Sequence, residues 1–486
     1  MLYLYCILAL VLVVGIGTTF EAWARYKTPE EYEKITTSTT MRKLCTAFSL
    51  LKNWDRLGSE ISTEDGKALA PIQGIRVLNM FFVVTSHTCM LELHGPIANP
   101  RFAEDSTLRT LNMFVSNGNM VMQTSFMISA WMLSYGICVA FENRKFNFKA
   151  MIQIIVHRFI RLYPLLIIML GFGATWLRHS GRGPIFNEIV DYEYRNCRNN
   201  WLLNLLFINN LYKSEQMCMQ QTWYLAVDTQ TFILGLFIMM AVIKNPQHAK
   251  NIFGSIIFLS ICITFIQHYY NAYDILFRSY PEILYSMYMK LPQWHTMFIG
   301  TQHHIPCYVQ GLACGYYFHK IRKEKKTIVL KKGVYFLLLC YMWIGPIFTI
   351  LIAAAFYQDG FEASRWFAAF YHAIAKYSFG LPISIAIFTF TFGIGGPMIN
   401  VINWKPFHVL GRLSFGVYLS HVHILRMNRA INKTLSFITE RLLIRWMLGD
   451  VMLCYIVATV ICLFVEMPTS ALGPVDAVYQ SCLKPD

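Results

Sequence analysis

Apolar runs long enough to cross a bilayer recur along this chain from its first residues almost to its last. They lie near residues 2–20, 76–94, 115–140, 153–175, 224–244, 252–270, 300–318, 334–356, 372–394, 408–426 and 447–467. The runs are continuous rather than alternating, which predicts helices and argues against a transmembrane barrel. The pattern predicts an all-α, polytopic helical membrane protein of about eleven transmembrane helices. One N-terminal helix fills residues 1–23, and ten more form a membrane domain over 71–470. Residues 24–70 between them are rich in Ser, Thr and charge ("EKITTSTTMRK") and read as a cytosolic connector with one short amphipathic helix around "LCTAFSLLKNW". Polar loops at 178–222 and near 271–299 fall on the outer side, and residues 471–486 read as a cytosolic tail.

Composition agrees. Of 486 residues, 55% are hydrophobic and only 14% charged, where soluble domains carry about 25% charge. A net charge of +15 would suit a nucleic-acid binder, but its placement does not. The basic residues gather in "ARYKTPEEYEK" to "KLCTAFSLLKNWDRLG", in "ENRKFNFK" and in "HKIRKEKKTIVLKK", three loops that alternate correctly with the spans. The positive-inside rule assigns those loops to the cytosol, facing anionic lipid rather than nucleic acid. One basic stretch, "RMNRAINKTLSFITERLLIR", breaks the rule by falling outside. Either it lies flat on the surface or a nearby span is miscounted; its Asn432 sequon favours the outer side. The first run could be a signal peptide, but it lacks a basic n-region and its basic flank lies behind it, which favours an uncleaved span with an outside N-terminus. Most of the thirteen cysteines sit within spans as small hydrophobes. Cys197 and Cys218 instead flank an outside polar segment, where an oxidising lumen favours a disulfide and places the protein in a secretory-pathway membrane, the endoplasmic reticulum or the plasma membrane.

Against this apolar background, ionisable residues inside spans mark candidate chemistry. The stretch "IQGIRVLNMFFVVTSHTCM" carries Arg76 and His87, eleven residues apart, so both project from one helix face roughly 16 Å apart. A guanidinium at the cytosolic mouth suits phosphate, and an imidazole three turns deeper suits proton abstraction from a hydroxyl. Taken singly, Arg76 reads equally well as a snorkelling anchor and His87 as an interhelical hydrogen-bonding group. "HRFIRLYPL" supplies Arg158 and Arg161 one turn apart, and "TWYLAVDTQTF" supplies Trp223, Asp228 and Gln230 at the outer start of a span. "LGRLSFGVYLSHVHI" places Arg412, Ser414, Tyr418 and His421 at helical spacing, and "FVEMPTSALG" ends the last span with Glu466 and Pro468, where an ion pair with an arginine is expected. No Walker loop, dinucleotide fingerprint, paired CxxC or HExxH occurs. The neighbouring His303 and His304 point to different helix faces without a nearby carboxylate, so no metal site is expected.

Together these strings resemble the acyltransferase type 3 family of integral membrane acyltransferases, in its animal branch of "nose resistant to fluoxetine" proteins, from about residue 45 to 470. The resemblance rests on an Arg and a His separated by ten residues (Arg76, His87), on "R-x-x-R-[IL]-x-P" (Arg158, Arg161, Leu162, Pro164) and on "W-[SY]-L-x-x-[ED]-x-Q" (Trp223, Leu225, Asp228, Gln230). It extends to "S-x-x-x-Y-L-x-H" (Ser414, Tyr418, Leu419, His421), "E-x-P" (Glu466, Pro468) and the two outside cysteines. It implies transfer of an acyl group, other than aminoacyl, from cytosolic acyl-CoA (acetyl-CoA or longer) to a hydroxyl acceptor in or across the membrane: a lipid, sterol or glycan. His87 is the implied base, with Tyr418, His421 or Asp228 orienting it or stabilising the oxyanion. Arg76, Arg158 and Arg161 are the implied donor-binding cations; Trp223, Gln230, Ser414 and Glu466 are structural.

Three departures temper the resemblance. Relatives often carry an Asp where "MQTSFMISAW" has Gln123, and an Arg where "YHAIAKYSFG" has Lys376. Relatives in the branch also commonly carry a cysteine-rich outside segment ahead of the first span, which is where this sequence starts. A catalytically silent relative that binds or transports lipids or small hydrophobic compounds is therefore the second expectation. An ion-coupled transporter of unrelated fold is a third, disfavoured because no internal repeat is visible.

Overall fold

A computed structural model describes residues 2–472 apart from residues 93–94, 108, 278–282, 284–285, 287, 327, 329 and 359. Among the described residues there is no β-strand. Eleven helices correspond to the eleven apolar runs. They are α1 (Leu2–Ala24), α2 (Glu64–Glu92), α3 (Met122–Ala140), α4 (Phe148–Gly171), α5 (Trp223–Lys244), α6 (Ala249–Asn271), α7 (Ile305–Lys323), α8 (Lys332–Leu351), α9 (Arg365–Thr391), α10 (Ser414–Ala430) and α11 (Glu440–Ile461). Eight of them, all but α3, α7 and α10, are long and apolar enough to cross a membrane.

Protein rather than lipid surrounds much of each of the three exceptions. Gly311 and Gly315 of α7 lie directly on the α3 backbone: a Cβ at either would come within 2.4 Å of the Met127 carbonyl or 2.5 Å of the Trp131 carbonyl. Small residues at such a crossing let two backbones approach where hydrophobic burial gives no net drive. Helix α10 is buried along nearly its whole length, from Gly416 to Arg426 without interruption.

Two boundaries differ from expectation. Helix α2 begins at Glu64, twelve residues before the run that defines it, because Thr63 caps its first turn by accepting from the Gly66 amide (3.1 Å) and Glu64 and Asp65 suit the helix dipole. The run at 408–426 divides at Leu413 into a separate amphipathic helix, Lys405–Arg412, and α10. The connector holds three short helices rather than one, Pro29–Thr37, Thr40–Ala47 and Leu50–Gly58, since Thr28, Thr39 and Ser49 each cap a new start. Arg412 anchors the last of these to the membrane domain by donating to the carbonyls of Arg56 (2.9 Å), Leu57 (2.6 Å) and Ser59 (2.8 Å). Lys405 adds an exposed tie to Glu60 at 2.8 Å, which holds that carboxyl below its usual range. Most of the expected tail, 473–486, lies outside the described residues.

Two of the five basic residues in the stretch that breaks the positive-inside rule are buried in pairs, while Lys433, Arg441 and Arg445 are exposed. Arg426 pairs with Glu193, and Arg429 pairs with Glu92 and with Asp450 (2.8 Å). Asp450 also accepts from Thr88 (3.1 Å) and Asn428 (3.0 Å). A cation matched by carboxylates no longer acts as a topogenic charge, which lessens the conflict with the expected outside placement. Arg429→Met would leave two carboxylates buried without a cation, a loss of about 3–5 kcal/mol. Thermal unfolding of the detergent-purified protein should register it; an unchanged melting temperature would mean that water reaches the network.

Candidate active site

Helices α2 and α10 run side by side, and their two histidines meet. His87 Nδ1 lies 2.8 Å from His421 Nε2, with the rings stacked at 5.0 Å and 14°. The protonation pattern of this pair follows from its outer partners. His421 Nδ1 sits 2.7 Å from the Tyr418 carbonyl and 3.1 Å from that of Val417. Carbonyls only accept, so His421 carries its proton on Nδ1 and offers a lone pair at Nε2. His87 Nδ1 must then be the donor to it, which leaves the lone pair of a neutral His87 on Nε2. His87 is half-buried and lines a cavity of about 220 Å³, while His421 is fully buried behind it. The arrangement is a base whose tautomer is fixed from the far side, the logic by which a buried orienting group prepares an imidazole for proton transfer.

The cavity occupies the end of the bundle assigned to the outside. Its walls are mainly apolar, with Trp223, Phe298 and Met447 facing His87 and Tyr418. Tyr418 lies near His421, but its hydroxyl donates to the Gln221 carbonyl at 2.6 Å. With its proton spent there, Tyr418 positions the loop before α5 rather than offering an oxyanion donor. Gln221 returns a bond from Nε2 to the Leu419 carbonyl (3.1 Å), so loop and helix are clasped on both sides.

The remaining expected residues fall elsewhere. Asp228 is not brought to the histidine pair; its carboxylate binds Arg158, whose guanidinium lies 4.1 Å from the Phe232 ring centre. Arg158 is thereby neutralised, whereas Arg161 sits within electrostatic range of both Arg76 and Glu466. Glu466 makes no close ion pair among the described residues, and its Oε2 has no hydrogen-bond partner. The Arg76–Arg161–Glu466 group lies toward the end assigned to the cytosol. Gln230 bonds the Phe207 carbonyl and Asn210 (both 2.8 Å), and Ser414 bonds the Gly411 carbonyl (2.8 Å), so both are structural in effect.

The two internal departures from the family pattern come together on one imidazole. Gln123 Nε2 lies 3.1 Å from His304 Nδ1, and His304 Nε2 lies 2.7 Å from the Phe298 carbonyl. Lys376, buried, approaches the same His304 nitrogen at 3.5 Å and donates to the Met297 carbonyl at 3.2 Å. With its Nε2 proton given to Phe298, neutral His304 needs a donor at Nδ1. Gln123 supplies one and a carboxylate would not. His303 is also spent on protein groups, the Thr264 hydroxyl (2.9 Å) and the Thr296 carbonyl (3.1 Å).

Sequence reasoning missed Gln221 and the carboxylates Glu92, Glu193 and Asp450, and weighed His304 only as a metal ligand. Glu92 and Asp450 had a usable signal, since acids within or at the end of a span are expensive unless each meets a cation; Glu193, in the polar 178–222 segment, had none.

Residues 70–465 match the acyltransferase domain family. The chain is 23% identical over 509 residues to nose resistant to fluoxetine protein 6 of Caenorhabditis elegans, a match covering 97% of this chain and 59% of that relative's length. No solved structure matches.

A disulfide joins Cys197 to Cys218, as the outside placement of that loop predicts. It ties helix Phe186–Leu205 to the segment that presents Gln221. Thiol reagents should label neither cysteine before reduction, and Cys218→Ser should cost about 2–4 kcal/mol of stability. Peptide mapping without reductant reads the first and a melting curve the second.

Proposed function

Since the chain belongs to the acyltransferase domain family, we propose that it transfers an acyl group from cytosolic acyl-CoA to a hydroxyl acceptor in or across a secretory-pathway membrane. The observation that carries this reading is the histidine pair: a neutral imidazole, oriented through His421 and the Tyr418 carbonyl, with its free Nε2 at a largely apolar cavity.

The donor's phosphates are held at the cytosolic end by Arg76 and Arg161; Arg158, already matched by Asp228, contributes through structure. The thioester reaches His87 along α2. His87 Nε2 takes the acceptor hydroxyl's proton as the oxygen attacks the thioester carbon. The tetrahedral intermediate collapses by breaking the carbon–sulfur bond, and the CoA thiolate recovers the proton from His87. His421 stabilises the transient imidazolium by accepting from Nδ1 throughout. The volume of about 220 Å³ is below the range of about 300–1,000 Å³ usual for drug-sized ligands. It suits a short acyl group beside the hydroxyl end of an acceptor.

A second reading is supported by the Gln123 departure and the apolar walls: a relative that binds or moves lipids or small hydrophobic compounds without transfer. CoA release by purified protein separates the two. Under the first reading His87→Ala lowers turnover at least about a hundredfold, and His421→Phe lowers it less, with kcat falling more than KM rises. Arg76→Ala instead raises KM for the donor. Wild-type turnover undiminished in His87→Ala would end the catalytic assignment, and lipid efflux that persists in that variant would favour the second reading.

A further inference from the structure

Between the donor-binding arginine and the base, α2 carries one more polar residue on the same stripe. At 100° per residue, Arg76, Asn79, Val83 and His87 fall within about 80° of one another on the helix surface. Asn79 is 5% exposed, on a face otherwise apolar as far as Ser86. Its Nδ2 donates to Ser125 Oγ of α3 at 2.7 Å, and its Oδ1 has no partner. Rotating the carboxamide by half a turn does not repair this, because Ser125 offers one contact and the other end of the amide stays open. Ser125 also interacts with the Tyr224 hydroxyl, and the Tyr224 ring lies 5.3 Å from that of Tyr418 at the cavity. Tyr224 is within electrostatic range of Arg76 as well. The open amide thus sits on a continuous line of side chains from the Arg76 end to the His87 end.

A buried amide with one end unmatched costs free energy that an apolar residue would not. A polar group of a bound ligand can supply the missing hydrogen bond. We propose that the Asn79 carboxamide binds an amide of the pantetheine arm of acyl-CoA, a role that rests on the donor assigned above. The lengths agree. The arm from sulfur to diphosphate is about as long as four to five extended residues, roughly 16 Å, which is also the Arg76–His87 separation along the helix. Asn79 lies about 4.5 Å of axial rise from Arg76 and about 12 Å from His87. With the thioester at His87 and the phosphates at Arg76, the amide nearer the diphosphate is the one that falls at Asn79. An amide is self-complementary to an amide, so either orientation of Asn79 serves.

The test uses three probes on the full-length protein in detergent: CoA, pantetheine (the arm alone) and adenosine 3′,5′-bisphosphate (no arm). Asn79→Leu should weaken CoA and pantetheine by roughly three- to tenfold and leave the bisphosphate unchanged, which also certifies that the variant is folded. Arg76→Ala should do the converse, weakening CoA and the bisphosphate but not pantetheine. If the leucine variant does not fold, Asn79→Ser, too short to reach the arm, carries the same expectation. Equal loss for all three probes, or none, would overturn the role of Asn79 while leaving the donor assignment intact. A wild-type protein that binds neither CoA nor the bisphosphate would instead remove the donor reading, and this role with it.

Discussion

A guanidinium buried where helix ends meet must be matched before those helices can close, and Arg429 is matched by two helices at once. Glu92 reaches it from the end of α2 and Asp450 from α11, while Arg429 itself belongs to α10. Thr88 and Asn428 complete the shell around Asp450, and the Trp446 ring centre lies 4.9 Å from the guanidinium. Charge neutralisation of this kind is specific in a way that apolar packing between lipid-bathed helices is not. It fixes the register of α2 against α10, and the stacking of His87 on His421, five residues before Glu92 and eight before Arg429, depends on that register. A slip of one residue would turn either imidazole out of line.

The same end of the bundle illustrates how a helix can prescribe proton positions without any titratable partner. Two carbonyls of α10's own backbone determine where His421 keeps its hydrogen. That choice propagates through one contact to His87. The clasp of Tyr418 and Gln221 then holds the loop ahead of α5 against α10, so that Trp223 forms the facing wall. Rigid helices carry the pair, and a segment pinned by a disulfide carries the wall.

Much of this was legible in the chain, for a definite reason. Apolar runs set the helices because a bilayer demands length and composition, and Arg76, His87, Tyr418 and His421 stood out because polar atoms in hydrocarbon are costly. Spacing within one helix was readable, and pairing between helices was not. Asp228 could not be joined to Arg158, seventy residues earlier, from periodicity, nor Arg429 to Glu92. The three-helix connector had its caps written in Thr28, Thr39 and Ser49, but a weakly apolar segment gave no period to attach them to. The split at Leu413 was hidden because the run of apolar residues continues across it.

Gln123 and Lys376 lie 253 positions apart in the sequence, yet both touch His304. Exchange of a carboxylate for an amide on one side alters what the imidazole can tolerate on the other. The two positions therefore act as one unit, each bearing on the hydrogen bonding of the same imidazole. A change at either reaches the other through His304, so a substitution at one position has to be read together with the residue at the other.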